Sequence, residues 1–219
     1  MIKSVRVVGV GRVGSAVSAR LAERGVALRE EDPELVLLCV PDRAIAEVAR
    51  TIAPGPWIAH VSGATPLAAL DPHVRRFSLH PLQTFTLERG PEQLDGAYAA
   101  VTAESTAAGT LAREVAILLG LRPFDLEERA RPLYHAGAAI ASNYLVTLHR
   151  AASRLFLDAG APLEGLVPLM LLTIENGFQL TGPISRGDWS TVEAHLKTLH
   201  ELRPELEPMY RALAEATTA

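Results

Sequence analysis

Ser4-Val5-Arg6-Val7-Val8-Gly9-Val10-Gly11-Arg12-Val13-Gly14-Ser15 is the stretch on which the fold turns. A β-rich run leads directly into Gly-x-Gly-x-x-Gly, and a helical pattern from Ser15 to Arg24 follows. In a dinucleotide site each glycine has its own task. Gly9 permits the tight turn, Gly11 lets a pyrophosphate approach the backbone, and Gly14 lets helix and strand pack closely. The start of the helix then offers free N–H groups and a positive dipole end to the phosphates. Gly9, Val10, Gly11, Arg12, Val13 and Gly14 are therefore the expected binding turn for NADP or NAD, with the pyrophosphate at Gly11 to Val13.

Outward from this turn, short β-like runs alternate with helices. Leu35 to Val40 is continuously apolar, the mark of a strand buried on both faces. A helix runs from Pro41-Asp42 to Ala53, with strands at Trp57–Val61, Phe77–Leu79, Tyr98–Thr102 and Leu121–Asp125 and a helix from Thr106 to Leu119. This alternation predicts a Rossmann-like α/β fold with a mostly parallel sheet. One step is abnormal. Val26 to Arg29 suits the second strand, yet only Glu31 to Glu34 separate it from the next, and a parallel crossover needs about a dozen residues. One strand-helix-strand unit is shortened or absent. Arg29 would suit a 2′-phosphate and Glu30 a ribose hydroxyl, or both are solvated loop charges.

From Pro132 onward the pattern is helical. One helix is expected over Leu133–Ala159, stopping at Gly160. A second is expected over Leu163–Leu180 with a bend at Pro168, a third over Thr191–Leu202 and a fourth over Pro204–Ala216. The charged stretch Glu127 to Arg131 marks the boundary. The expected domains are 1–128, binding the dinucleotide, and 129–219, an all-α substrate and dimerisation domain.

Composition narrows the class. The chain has 219 residues, 48% hydrophobic and 21% charged, with a net charge of −4, so it reads as globular, without the basic excess of a nucleic-acid-coating surface. The single cysteine, Cys39, excludes a disulfide framework within one chain, and no histidine–carboxylate spacing suggests a metal. No apolar run approaches the ~20 residues needed to span a bilayer. A reducing cytoplasm is the expected compartment.

Ligands of open α/β sheets lie beyond the carboxyl ends of the strands. Val40-Pro41, His60-Val61-Ser62-Gly63 and His80-Pro81 reach that edge beside the glycine turn. With Tyr134-His135-Ala136-Gly137-Ala138, Ala141-Ser142-Asn143-Tyr144-Leu145 and Leu180-Thr181-Gly182-Pro183-Ile184-Ser185-Arg186-Gly187-Asp188, they resemble the Rossmann-like proteins with a DUF2520 C-terminal domain. More distantly the chain is similar to pyrroline-5-carboxylate reductase, prephenate dehydrogenase and the 3-hydroxyacid dehydrogenases. The resemblance implies a nicotinamide-cofactor domain followed by helices that dimerise.

The hydroxyacid dehydrogenases carry a catalytic lysine one turn before an asparagine. Asn143 matches the asparagine, but Ala139 stands a turn earlier, and no lysine lies between Lys3 and Lys197. His135 stands two turns before Asn143 and could replace the lysine as proton donor. The expected catalytic residues are His80, His135, Asn143, Ser142 and Ser62. The cofactor site adds Arg29, Val40, Pro41, His60 and Ser62 to the glycine turn. The expected activity is hydride transfer between NAD(P) and a small hydroxy acid, imine or related metabolite, at a site between the two domains. The alternative is a dimer that binds a nucleotide or senses a ligand without catalysis.

Overall fold

A computed structural model describes residues 2–217; Met1, Thr218 and Ala219, at the outer ends of the two expected domains, lie outside the described residues. Among the described residues seven strands form one sheet, in the order β2-β1-β3-β4-β5-β6-β7. They are β1 (Ser4–Val8), β2 (Ala27–Leu28), β3 (Leu35–Leu38), β4 (Trp57–His60), β5 (Arg76–Pro81), β6 (Tyr98–Ala103) and β7 (Arg122–Asp125). All neighbours pair in parallel except β5 and β6, which run antiparallel. The sheet is the mostly parallel Rossmann-like one that the alternation of elements predicts.

The apolar run Leu35–Leu38 lies centrally, and its alternation divides the core. Leu35 and Leu37 pack on one face with Val5, Val17, Leu21 and Phe77. Val36 and Leu38 pack on the other with Ile45, Ile58 and Leu70. Successive side chains of a strand point to opposite faces, so a central strand covered on both sides must be apolar throughout. Burying each such leucine contributes about 1.5–3 kcal/mol. Helix α1 (Arg12–Glu23) and α3 (Thr106–Leu118) cover the first face, and α2 (Ile45–Thr51) covers the second.

The abnormal step takes a simple form. β2 has two residues, paired with Ser4 and Val5, and Arg29–Glu34 then lead directly into β3 on the other side of β1. The strand-helix-strand unit that would normally intervene is absent. So short a segment fits because β2 ends level with Val5, low on β1.

The chain divides into two compact units, Met1–Asn143 and Tyr144–Ala219. The sequence puts its boundary at 128/129. Helix α4 (Arg131–Ala139) goes with the first unit because Arg131, Tyr134 and His135 pack on the sheet's carboxyl edge. A π-helical turn, Ile140–Tyr144, spans the division.

The second unit contains α5 (Leu145–Asp158), α6 (Leu166–Glu175), α7 (Trp189–Leu202) and α8 (Glu207–Thr217). Two expectations are corrected. α6 ends at Glu175, not Leu180, because Gly177 takes φ +69°, a left-handed conformation that stops a helix. Pro168 introduces no bend in mid-helix, since it occupies the first turn, where a missing N–H has no helical acceptor.

Candidate functional site

The glycine turn has the stereochemistry a phosphate needs. Gly9 takes φ +115°, and a Cβ there would meet the Cys39 carbonyl oxygen at 2.4 Å. A Cβ on Gly14 would lie 1.9 Å from the Gly9 carbonyl oxygen, so this glycine is required by helix–strand packing. At Gly11 a Cβ would meet nothing within 4 Å. The turn therefore opens at the one glycine where a ligand should approach. Gly11 caps α1 without a side chain, leaving the first-turn N–H groups of Arg12, Val13 and Gly14 directed outward. Val10 is 92% exposed at the crest of the turn. Val40 and Pro41 follow β3, held beside the turn by the Cys39 N–H, which donates to the Val8 carbonyl oxygen. These residues fit a dinucleotide pyrophosphate.

The adenosine side does not follow the usual plan. The Arg29 N–H donates to the Val5 carbonyl oxygen at 3.0 Å, so its backbone stops three residues below Val8, about 10 Å from the edge at ~3.3 Å per residue. Arg29 is not brought to the glycine turn. Glu30 pairs with Arg6 at 2.8 Å.

A cavity of about 700 Å³ extends from Arg12, the first residue of α1, to the histidines of the carboxyl edge. One wall is the segment after β5, including Leu82 to Phe85. The other comes from α4 and the π turn, with Tyr134, His135, Ser142 and Asn143. The cavity lies wholly within the first unit. The adjoining loop is held by buried Gln93, whose amide donates to the Thr86, Arg89 and Gly90 carbonyl oxygens and accepts the Thr86 N–H.

His80 stands at the centre of the edge. Its Nδ1 is 2.8 Å from the Tyr134 hydroxyl. Its ring meets those of Tyr134 and His135 edge-on, at 5.5 and 6.1 Å between centroids. Gly63 makes the pairing possible. A Cβ there would come within 2.7 Å of His135 Cδ2 and 2.8 Å of His80 Nε2. Burial, then His135 and Arg131, push the His80 pKa down to about 4, against a small opposing pull from Asp42. Burial pushes Tyr134 up to about 12.

His60 and Ser62 work from beneath. His60 is fully buried, and its Nδ1 accepts the Ser62 N–H at 3.2 Å. Burial, then Arg131 and His80, lower its pKa to about 3. Ser62 Oγ donates to Thr65 Oγ1 and accepts the N–H groups of Ala64 and Thr65. Both side chains brace the loop that carries Gly63, and neither lines the cavity. Ser142 Oγ donates to the Ala138 carbonyl oxygen at 2.8 Å, and Ser142 and Asn143 both line the cavity. The π turn adds a residue to the helical repeat between His135 and Asn143, yet the two remain on the same cavity.

Two residues of the cluster escape sequence reasoning. Arg131 is fully buried, donates to the Ser62 carbonyl oxygen at 3.1 Å and lies 3.4 Å from Glu128. Tyr134 appears in the sequence reading only as part of a motif. The sole signal was their position at the start of the helix that also carries His135.

The family described as a domain of unknown function, DUF2520, matches residues 97–217. No curated protein matches the sequence. Among solved structures, the "putative NADP oxidoreductase" BF3122 from Bacteroides fragilis is 20% identical, with 99% of this chain and 98% of that one covered, at a TM-score of 0.83. Protein TM1727 from Thermotoga maritima is 25% identical, with 98% and 100% covered and a TM-score of 0.72. Prephenate dehydrogenase from A. aeolicus, in complex with hydroxyphenyl propionate and NAD+, is 15% identical, with 99% and 96% covered and a TM-score of 0.58. These likenesses agree with the Rossmann-like fold. Among the described residues, no helix is long and apolar enough to cross a membrane.

Proposed function

The chain belongs to the DUF2520 family, and on that premise we propose that it is an NAD(P)-dependent oxidoreductase acting on a small hydroxy acid, imine or related metabolite. One observation carries this reading: a single cavity joins Arg12, at the glycine turn, to His80, Tyr134 and His135. A phosphate-binding turn and a proton-handling cluster on one cavity are what hydride chemistry requires. When bound, the nicotinamide would supply or accept the hydride.

The chain's own residues do the rest. The N–H groups of Arg12, Val13 and Gly14 hold the pyrophosphate. His80 and His135 flank the reacting carbon, and one of them exchanges the proton that accompanies the hydride. Asn143 and Ser142 orient the substrate from the π turn. His60, Ser62 and Arg131 hold this arrangement in place. The helical second unit forms a homodimer, and the protein works in the cytoplasm. The division into a 1–128 cofactor part and a 129–219 helical part describes this assignment of roles, with α4 supplying the site's second wall.

A second reading is favoured by β2, which ends too low to wall the adenosine. It makes the protein a dimer that binds a nucleotide or senses a ligand without catalysis. Calorimetry with NADP(H) and NAD(H) tests both. Binding in the micromolar range, weakened at least ~10-fold by Gly11→Ala, is expected, because a methyl there fills the open approach to the backbone. Failure of both cofactors to bind sinks the oxidoreductase reading and leaves only the ligand-sensing form of the second. Binding without hydride exchange, across a screen of hydroxy acids and cyclic imines, selects the second.

A further inference from the structure

We propose that Tyr134 is the positioning residue of His80: its hydroxyl donates to Nδ1, so the ring carries its proton on Nε2 and presents that N–H to the cavity. The use made of this N–H rests on the oxidoreductase reading; the tautomer does not.

The geometry leaves little choice. Tyr134 Oη and His80 Nδ1 are 2.8 Å apart, and among the described residues His80 is the hydroxyl's only hydrogen-bond partner. A phenol proton with one available acceptor is placed on that acceptor. Were the imidazole to donate instead, the phenol proton would have no acceptor in the protein, a costly loss in a half-buried site. At the other ring nitrogen, Gly63 leaves Nε2 uncovered where any Cβ would stand 2.8 Å from it. Phe124 on β7 meets the Tyr134 ring edge-on at 5.9 Å and helps hold it against His80. The charged and titratable groups around His80 are Tyr134, His135, Arg131, Asp42 and buried His60. His80 is pushed down and the phenol up, so both stay neutral near pH 7.

A neutral imidazole with a fixed N–H is an electrophile rather than a proton carrier. This separates the two histidines. His80 Nε2–H polarises the substrate C=O or C=N by hydrogen bonding to its oxygen or nitrogen. As the hydride reaches the carbon, the π electron pair moves to that atom, which takes the proton that His135 delivers. In the oxidation direction His135 takes the proton back.

The test is two-bond 1H–15N correlation NMR on protein labelled in its histidine rings, with His80 assigned from the signal lost in His80→Gln. A neutral ring protonated on Nε2 from pH 5.5 to 8 is expected. Protonation on Nδ1 in the parent protein overturns the proposal, with no variant needed. Tyr134→Phe keeps the ring contacts and removes only the hydroxyl. It should turn the His80 pattern into that of exchanging tautomers, and an unchanged pattern overturns the proposal. NAD(P)H calorimetry on the same sample tests the underlying reading separately. The expected tautomer with no cofactor binding supports the positioning and sinks the oxidoreductase. Once a substrate is in hand, Tyr134→Phe should lower kcat ~10- to 100-fold with cofactor KM unchanged, and an unchanged kcat removes Tyr134 from the mechanism.

Discussion

His60 makes stability depend on protons. Unfolded, its ring protonates below about 6.5; folded, burial chiefly holds it neutral down to about 3. Between those values the unfolded chain binds the extra proton. This contribution is therefore full above pH ~6.5 and is lost as the pH falls toward 3, at about 1.4 kcal/mol per pH unit. His80 adds a parallel loss between about 6.5 and about 4. Urea unfolding at pH 7.5, 6 and 5 should show a falling midpoint before most carboxylates titrate. His60→Gln should be less stable at pH 7.5, since the Ser62 loop loses its acceptor, yet lose less on acidification. Equal pH slopes in the two proteins would remove burial of His60 as the cause. The sequence makes His60 visible as an end-of-strand histidine but hides its burial. Arg131, which helps depress it, reads as one charge among Glu127 to Arg131, because nothing in a charged run tells which side chain turns inward.

At the scale of elements, the glycine turn is legible because steric demands act over a few neighbouring residues: Gly9 and Gly14 are required by contacts within 3 Å. The missing crossover is legible by counting residues between strands. The end of α6 was available in Asn176-Gly177, but the apolar periodicity beyond it suggested a longer helix. The His80–Tyr134 pair spans 54 residues of chain, and no local pattern encodes so distant a hydrogen bond. The π turn is equally hidden, since no residue type demands it. Its position gives a prediction. Asn143 is carried by this turn and lines the cavity opposite the segment after β5. Asn143→Ala should leave cofactor affinity within ~2-fold, because the phosphates are held at α1. It should lower turnover ~10- to 1000-fold through loss of an orienting hydrogen bond in the transition state. A variant with wild-type turnover, or one that loses cofactor binding instead, would relocate the substrate.

At the scale of the whole molecule, the second unit has too little core for its apolar content. Among its described residues the buried hydrophobic ones are Ala151, Leu166, Val192, Leu199, Leu206 and Ala214. Against these, Val167, Leu169, Leu171 and Leu172 on α6 are each more than half exposed, as are Phe178 and Leu180 just beyond it. A helix apolar on nearly every side needs cover on several sides. A unit of fewer than 80 residues also buries a smaller share of its surface than a larger domain does. A second copy of the same helices is the cover that symmetry supplies most readily, since a two-fold interface sets one patch against itself. Sedimentation at micromolar concentration should give a dimer whose melting temperature rises with concentration. Leu169→Glu with Leu172→Glu places two charges one helical turn apart on this face and should give a monomer. The glycine turn and the His80 cavity lie wholly in the first unit, so cofactor affinity in that monomer should stay within a few-fold of the parent. A parent protein that sediments as a monomer refutes the assembly. A double variant that stays dimeric moves the interface off α6.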